Sequence, residues 1–396
     1  MTTRVSAGAL AWGAVLLAPI ALVSPLAVAP LFALVAVAAI AGAMPALLQA
    51  AWPRAGIALF AIAILWAGAS SLWALQPDLV WRLWISITVS AIGGLALIAV
   101  ADTLPIVERE RVGRFLVIGL VIALTVLTIE AIPRYLGLRP TPQQWIITHL
   151  ARRFNPSSLN RASTLIALVA WIGAATLARR YGWPRACLLP AWAALVAPAF
   201  ESLAAVVASM VAAGAALLVA YAGQTTRRLA IASVVVGFTL MPLIPHWQVF
   251  YRYFANRTRD GSVWHRTEIW SFVADRIAER PLLGWGLNAA RAVPGGKELF
   301  EPGVEKLPLH PHNAVLQLWL ELGAVGAAIG GAIAILILYA ATSPAHARGT
   351  RIGMTAAAAA ALTIAATAYG LWQGWWMAAL WLVAALARAC AVPERT

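Results

Sequence analysis

Long apolar segments recur along the whole chain, and they limit it to one class of fold. They lie near residues 7–28, 31–50, 55–75, 83–101, 114–132, 162–178, 185–200, 202–222, 229–245, 313–341, 352–371 and 373–389. At 1.5 Å of rise per residue, most match the roughly 30 Å hydrocarbon core of a bilayer. Inside that core every backbone N–H and C=O must find its partner within the protein, which a helix achieves by itself. The chain of 396 residues is 62% hydrophobic and 11% charged, more apolar than a water-soluble domain of this size can hide. The expected fold is therefore an all-α polytopic membrane protein with about 12 transmembrane helices. Helices 1–9 fall within residues 1–245, one long loop occupies 246–311, and helices 10–12 fall within 312–396. Ala27-Val28-Ala29 has a cleavage-site look, but the run before it is long and Pro30 follows directly, so it reads as a first span rather than a signal peptide. The two cysteines, Cys187 and Cys390, imply neither a disulfide framework nor a metal site.

Charge sets the expected orientation. With the N-terminus inside, Arg54, Arg109, Arg111, Arg114, Arg179, Arg180, Arg185, Arg227, Arg228, Arg348 and Arg351 fall in inner turns, as the positive-inside rule requires. Two outer loops break that rule. The loop 133–161 carries Arg134, Arg139, Arg152, Arg153 and Arg161 with no acid, and 246–311 carries nine basic residues against seven acids. Ordinary surface ion pairs account for part of the longer loop. An acid-free arginine cluster at a membrane surface points instead to an anionic partner, and phosphate suits the guanidinium fork.

Two stretches carry the chemistry. Trp264–Arg280 (WHRTEIWSFVADRIAER) reads as an amphipathic helix lying on the membrane. Its apolar stripe is Ile269, Val273 and Ile277, and Arg266 falls on that stripe, where it either snorkels or meets a buried anion. Arg280-Pro281 ends the helix and Gly284-Trp285-Gly286 makes a turn. The second stretch, LHPHNAVLQLWLELGAVGAAIG from Leu309 to Gly330, reads as a helix opened by Pro311. On a 3.6-residue period Trp319, Gly323, Gly326 and Gly330 lie within about 40° of His312. That spacing puts a histidine above a glycine groove open to another helix or a lipid chain. Glu321 points away from that face and is expected to pack or hydrogen-bond. Glu130 and Glu201 stand near span ends and are expected to be solvated, His265 and His149 to be surface residues. Trp372, Trp375 and Trp376 belong to an aromatic belt, with sugar stacking as the alternative.

RTEIWSFVADRIAERPLLGWGLNAA followed by HPHNAVLQLWLELGAVG resembles the shared core of the O-antigen ligase and O-antigen polymerase superfamily. In the ligase branch a His is followed by Asn, Ser or Gln, nine residues, then Gly-x-x and a small residue or Tyr; His312, Asn313, Gly323 and Gly326 match this pattern. Upstream, ARRFNPSSLNRAS, Ala151 to Ser163, is similar more loosely.

The resemblance implies a membrane-embedded, polyprenol-dependent glycosyltransferase in the bacterial inner membrane with its active site on the periplasmic side. The ligase branch moves a glycan from undecaprenyl diphosphate to a hydroxyl of the lipid A core sugar during lipopolysaccharide biosynthesis. The implied partners are that donor, that acceptor and membrane lipids, with no nucleic acid, no nucleotide, no cofactor and no metal; no G-x-x-x-x-G-K loop occurs. Such a reaction needs positive charge on the departing diphosphate and a base for the attacking hydroxyl. His312 is the implied base, Asn313 its positioning partner, and Arg266 the diphosphate clamp. Arg161, Arg153, Arg152, Asn155 and His310 are further substrate-binding candidates, His310 being also the rival base, and Gly323 and Gly326 are structural. In-line attack would invert the anomeric centre. A polymerase, joining the glycan to a second carrier-linked unit, is the alternative within the superfamily. A transporter is the alternative outside it, and it predicts mid-span ionisable residues and matching broken helices.

Overall fold

A computed structural model describes residues 2–49, 54–137, 158–246 and 262–394. Arg152, Arg153, Asn155 and His149 lie outside the described residues. The described chain is helical apart from one short hairpin. In order the helices are α1 (Thr2–Val23), α2 (Val28–Gln49), α3 (Arg54–Ala69), α4 (Pro77–Asp102) and α5 (Ile106–Tyr135). Then come α6 (Ser158–Ala186), α7 (Leu188–Val196), α8 (Leu203–Ala222), α9 (Gln224–Leu240) and α10 (Ser262–Glu279). Strands β1 (Leu299–Glu301) and β2 (Val304–Glu305) pair antiparallel, and α11 (Ala314–Ala341), α12 (Arg348–Thr367) and α13 (Gly374–Ala389) follow.

Among the described residues nine helices are long and apolar enough to cross a membrane. The sequence suggests twelve spans; of the other three segments, α7, continued by the 3-10 turn Ala197–Phe200, and α13 form shorter apolar helices, and the third forms the 17-residue α9. Pro198 and a left-handed Glu201 (φ 55°) make the α7–α8 connection a tight turn.

The middle helix α6 organises the bundle. Nearly every residue from Ser158 to Ala175 is buried, the mark of a helix packed on all sides. It contacts α1, α5, α8 and α12. Between α8 and α12 the seam is alanine: Ala204, Ala208, Ala212 and Ala216 recur every fourth residue and are buried, facing the run Ala356–Ala361. Small residues let two backbones approach closely where lipid supplies no hydrophobic drive. Glu130, expected to be solvated, is 6% exposed inside this bundle.

At one end of the bundle a second, smaller core is built on α10. Ile269, Val273 and Ile277 pack with Trp285, Val293, Leu307, Leu316 and Leu320. The stripe of α10 therefore rests on protein, not on the membrane surface as its periodicity suggests, because Leu316 and Leu320 of α11 supply an apolar wall for it. The hairpin is pinned by Lys297–Glu305 (2.7 Å) and Lys306–Glu298 (2.9 Å), and Lys297 Nζ also donates to the Pro308 carbonyl. This pinning leads the chain into His310.

Candidate active site

α11 does not begin at Pro311. Asn313 is its N-cap: Oδ1 accepts from Val315 N (3.0 Å) and Leu316 N (3.1 Å), satisfying donors a helix start leaves unpaired. His312 stands before the helix in a left-handed conformation (φ 56°), which a non-glycine residue adopts only when its surroundings impose it. The backbone N–H of His312 donates to His310 Nδ1 at 3.2 Å, and the two rings lie 4.3 Å apart. The helical-face reading of His312 is therefore incorrect, because the histidine sits on a capping loop and not on the helix.

The surroundings of that loop fix the tautomer of His312. His312 Nδ1 lies 2.6 Å from the Ala368 carbonyl. A carbonyl only accepts, so Nδ1 carries the hydrogen and Nε2 keeps the lone pair. Burial lowers the His312 pKa below the usual histidine value, and Arg266 and His265 push in the same direction against the Ala368 bond. His310 Nε2 lies 2.8 Å from the Gln373 side-chain nitrogen; a neutral imidazole accepts at one nitrogen only, so His310 accepts from either Gln373 or the His312 N–H. Its pKa is pushed down to about 3 by burial, then by His312, Arg291, Arg161 and Arg266. His310 is a neutral strut, and Gly370 lets the neighbouring turn lie against its ring: a Cβ there would stand 2.7 Å from the ring carbons.

Arg161, Arg266 and Arg291 reach this spot from α6, from α10 and from the 3-10 turn Ala289–Arg291. None forms an ion pair with a carboxylate among the described residues. The Arg161 guanidinium lies 5.7 Å from the Trp375 ring centroid, a cation–π arrangement. Arg266 is half-buried, and desolvation lowers its pKa below the usual arginine range, with Tyr369 opposing. Tyr369 is buried and its hydroxyl pairs with Thr164 Oγ1 at 2.9 Å. Burial pushes its pKa up to about 12, against Thr164 and the two guanidinium groups Arg161 and Arg266. The result is three cations close to the histidine pair, with Arg266 the one beside His312 and its Nε2 lone pair.

Below the histidines α11 breaks at Gly323 (φ 66°, ψ −165°). The loop after α10 fills the break. Trp285 N donates to the Leu320 carbonyl (2.9 Å), Gly286 N to that of Glu321 (2.8 Å), and Ala324 N to that of Pro281 (2.8 Å). Gly323 is required twice, by its positive φ and because a Cβ would meet the Leu282 carbonyl oxygen at 2.2 Å; a Cβ at Gly284 (φ 69°) would stand 2.6 Å from the backbone of Glu321 and Gly323. Of the two occupants expected for the glycine face, another helix is the one found at Gly330, which accommodates Phe238 of α9 together with Leu318, whereas Gly326 accommodates Leu322 of its own helix. Glu321, fully buried, holds the other side. Its carboxylate accepts from Trp372 Nε1 (2.6 Å), Asn288 N (2.7 Å), Gln317 Nε2 (3.1 Å) and Ala290 N (3.4 Å).

The structure thus unites His312, His310, Asn313, Arg266 and Arg161 from the sequence candidates. It adds Arg291, Tyr369 and Gln373. The dense polar-aromatic run YGLWQGWW at Tyr369–Trp376 was the one signal for the last two, whereas Arg291 looks like any loop arginine. Trp375 and Trp376 are buried and Trp372 is tied to Glu321, so these rings are neither a solvent-facing belt nor free for stacking. His265 is partly buried, with Nε2 enclosed and unpartnered among the described residues, not a surface residue.

Residues 186–330 match the O-antigen ligase family model. The chain is 26% identical over 236 residues to a putative polysaccharide ligase of Rickettsia conorii, covering 58% of this chain and 54% of that protein. It is 28% identical over 237 residues to one of Rickettsia bellii, covering 58% of each. A third, from Rickettsia typhi, is 31% identical over 166 residues, covering 38% of each. The chain spans about half the length, or less, of these curated relatives.

Proposed function

With residues 186–330 matching O-antigen ligases, we propose that this multi-pass membrane protein is an inverting glycosyltransferase. It moves a glycan from undecaprenyl diphosphate to a hydroxyl of the lipid A core sugar, on the periplasmic side of the bacterial inner membrane. The observation that carries this reading is the adjacent ring pair His310–His312, with Arg161, Arg266 and Arg291 close to His310 and with Arg266 beside His312, whose free lone pair is at Nε2.

His312 Nε2 takes the proton of the acceptor hydroxyl as its oxygen attacks the anomeric carbon. The bond from that carbon to the diphosphate oxygen breaks, and the electron pair leaves with the carrier. The guanidinium groups stabilise that charge in a partly desolvated site, where fixed donors act most strongly. Burial, with Arg266, also disfavours the His312 imidazolium before substrate arrives, which keeps the base available. Asn313 positions His312 through the helix cap, and His310 does so through its ring. Gln373 in turn fixes His310. Arg152, Arg153 and Asn155 remain substrate-binding candidates on sequence grounds.

A polymerase acting on the same donor is the second reading, favoured by the shared chemistry of carrier and base. A transporter would leave the groups freed at a helix break facing the pathway, whereas those at Gly323 are paired with the loop 281–286. The test is purified full-length protein in detergent with EDTA, undecaprenyl-diphosphate-linked glycan and lipid A core. Glycosylated lipid A from wild type, and none from a folded His312→Ala variant, supports the ligase. Lengthened carrier-linked glycan identifies the polymerase, and carrier movement without product refutes enzymatic transfer.

A further inference from the structure

At the end of the bundle opposite the histidines, a cavity of about 320 Å³ opens between the end of α8, the start of α9, the end of α11 and the start of α12. Arg227, Arg348 and Arg351 line it together with Tyr221 and Thr342, and no acid is among its lining residues. The size falls at the lower end of the ~300–1,000 Å³ typical of small-molecule sites.

Positive-inside bias accounts for arginines at this end, yet those of the neighbouring cluster are used up structurally. Arg109 donates to the carbonyls of Leu104, Asp102, Arg388 and Ala391, and Arg388 pairs with Asp102 at 2.7 Å. The cavity arginines are held differently. Arg227 donates through Nε and Nη2 to Thr342 (3.0 and 2.8 Å) and stacks 4.3 Å from the Tyr339 ring centroid. Arg348 Nη2 donates to the Ala220 carbonyl at 2.5 Å. Both are oriented by neutral acceptors that leave their charge uncompensated, and most of each fork's five donors stay unused. Among the described residues Arg351 has only Glu394 at 3.9 Å as an ion-pair partner, a half-exposed carboxylate. In addition, neither α9 nor α12 has a side-chain N-cap or an acid in its first turn, so both present positive ends here.

We infer that this cavity binds the phosphate of an anionic lipid headgroup. A phosphate anion satisfies three guanidinium groups and two helix ends together, as recurs in basic pockets between membrane helices. A lipid is favoured over the free ion because the outer face beside the cavity is apolar and open. Tyr221 is 85% exposed and Tyr339 54%, with Leu217 and Leu218 also uncovered, a path for acyl chains at the level where a headgroup lies.

The test is native mass spectrometry of the full chain in detergent, titrated with phosphatidylglycerol, phosphatidylcholine or inorganic phosphate. Wild type is expected to retain phosphatidylglycerol over phosphatidylcholine. Arg348→Ala and Arg351→Ala are each expected to weaken it about tenfold or more, and Arg348→Lys, which keeps the charge and spares the fold, to weaken it less. Equal retention by wild type and variants, equal retention of phosphatidylcholine, or arginine-dependent binding of inorganic phosphate with no preference for the lipid would each overturn the inference.

Discussion

His312 gains its chemistry from a hydrogen bond that no sequence pattern encodes. The Ala368 carbonyl selects the tautomer, and Ala368 is 56 residues away in the chain. The motif spacing pointed to His312 and Asn313, but not to their places: Asn313 caps the helix, and His312 precedes it with positive φ. Replacing His312 by Ala is expected to lower the transfer rate by about 10²–10⁴-fold, the usual worth of a positioned base, with an unchanged thermal unfolding midpoint as the folding control. Because its pKa is lowered, the acid limb of the rate profile in the wild type should lie below the usual histidine range; a limb above pH 7 would contradict the assignment. His310 makes a stability prediction. Held at about 3 in the fold against an ordinary 6.5, it leaves the folded chain with fewer bound protons than the unfolded chain between those values. Stability then rises with pH across that window: full above about 6.5, falling as acid is added. His310→Gln should flatten that slope in unfolding midpoints measured from pH 7 downward.

The crossing of α11 with the loop after α10 shows what periodicity hides. Gly323, Gly326 and Gly330 have the spacing of a close-packed helical face, and the continuous apolar pattern gives no sign of an interruption. Three facts decide otherwise: Gly323 tolerates φ 66°, Gly284 allows the second backbone in, and Glu321 supplies acceptors for amides the loop leaves unpaired. The expected role of Glu321 in hydrogen bonding was legible from its place among apolar neighbours, but its partners were not. Gly323→Ala combines left-handed strain of about 1–3 kcal/mol with a backbone clash, and should destabilise by more than that strain alone or abolish expression. Glu321→Gln puts an NH₂ among donors, and stranded buried donors cost about 1–3 kcal/mol each; chemical denaturation of the two variants measures both effects. Neither loss is expected from Gly214→Ala, where an added Cβ meets nothing within 4 Å.

Across the molecule, hydropathy gave the class and nearly all the helices, since lipid leaves the backbone no alternative, and it overstated only the spans too short to qualify. The assembly of the site was beyond it. Arg161 opens the central helix, Arg266 lies on α10, Arg291 on a 3-10 turn and Tyr369 between α12 and α13, and their meeting depends on packing rather than on any local pattern. If Arg161 and Arg266 hold one diphosphate, their losses are coupled. The double variant Arg161→Ala/Arg266→Ala should then lose less transition-state stabilisation than the two singles combined, by about 0.5–3 kcal/mol, read from kcat/KM of the four proteins; strict additivity would place them on different groups.

The knot of backbone bonds around Gly323 also bears on how such proteins diverge and can be recombined. Because residues 281–290 and 320–324 complete each other's hydrogen bonding, neither can be inherited without the other. A chimaera that exchanges the loop alone inherits mismatched edges. One whose junctions fall before residue 280 and after residue 324 transplants a self-consistent cassette, histidines included.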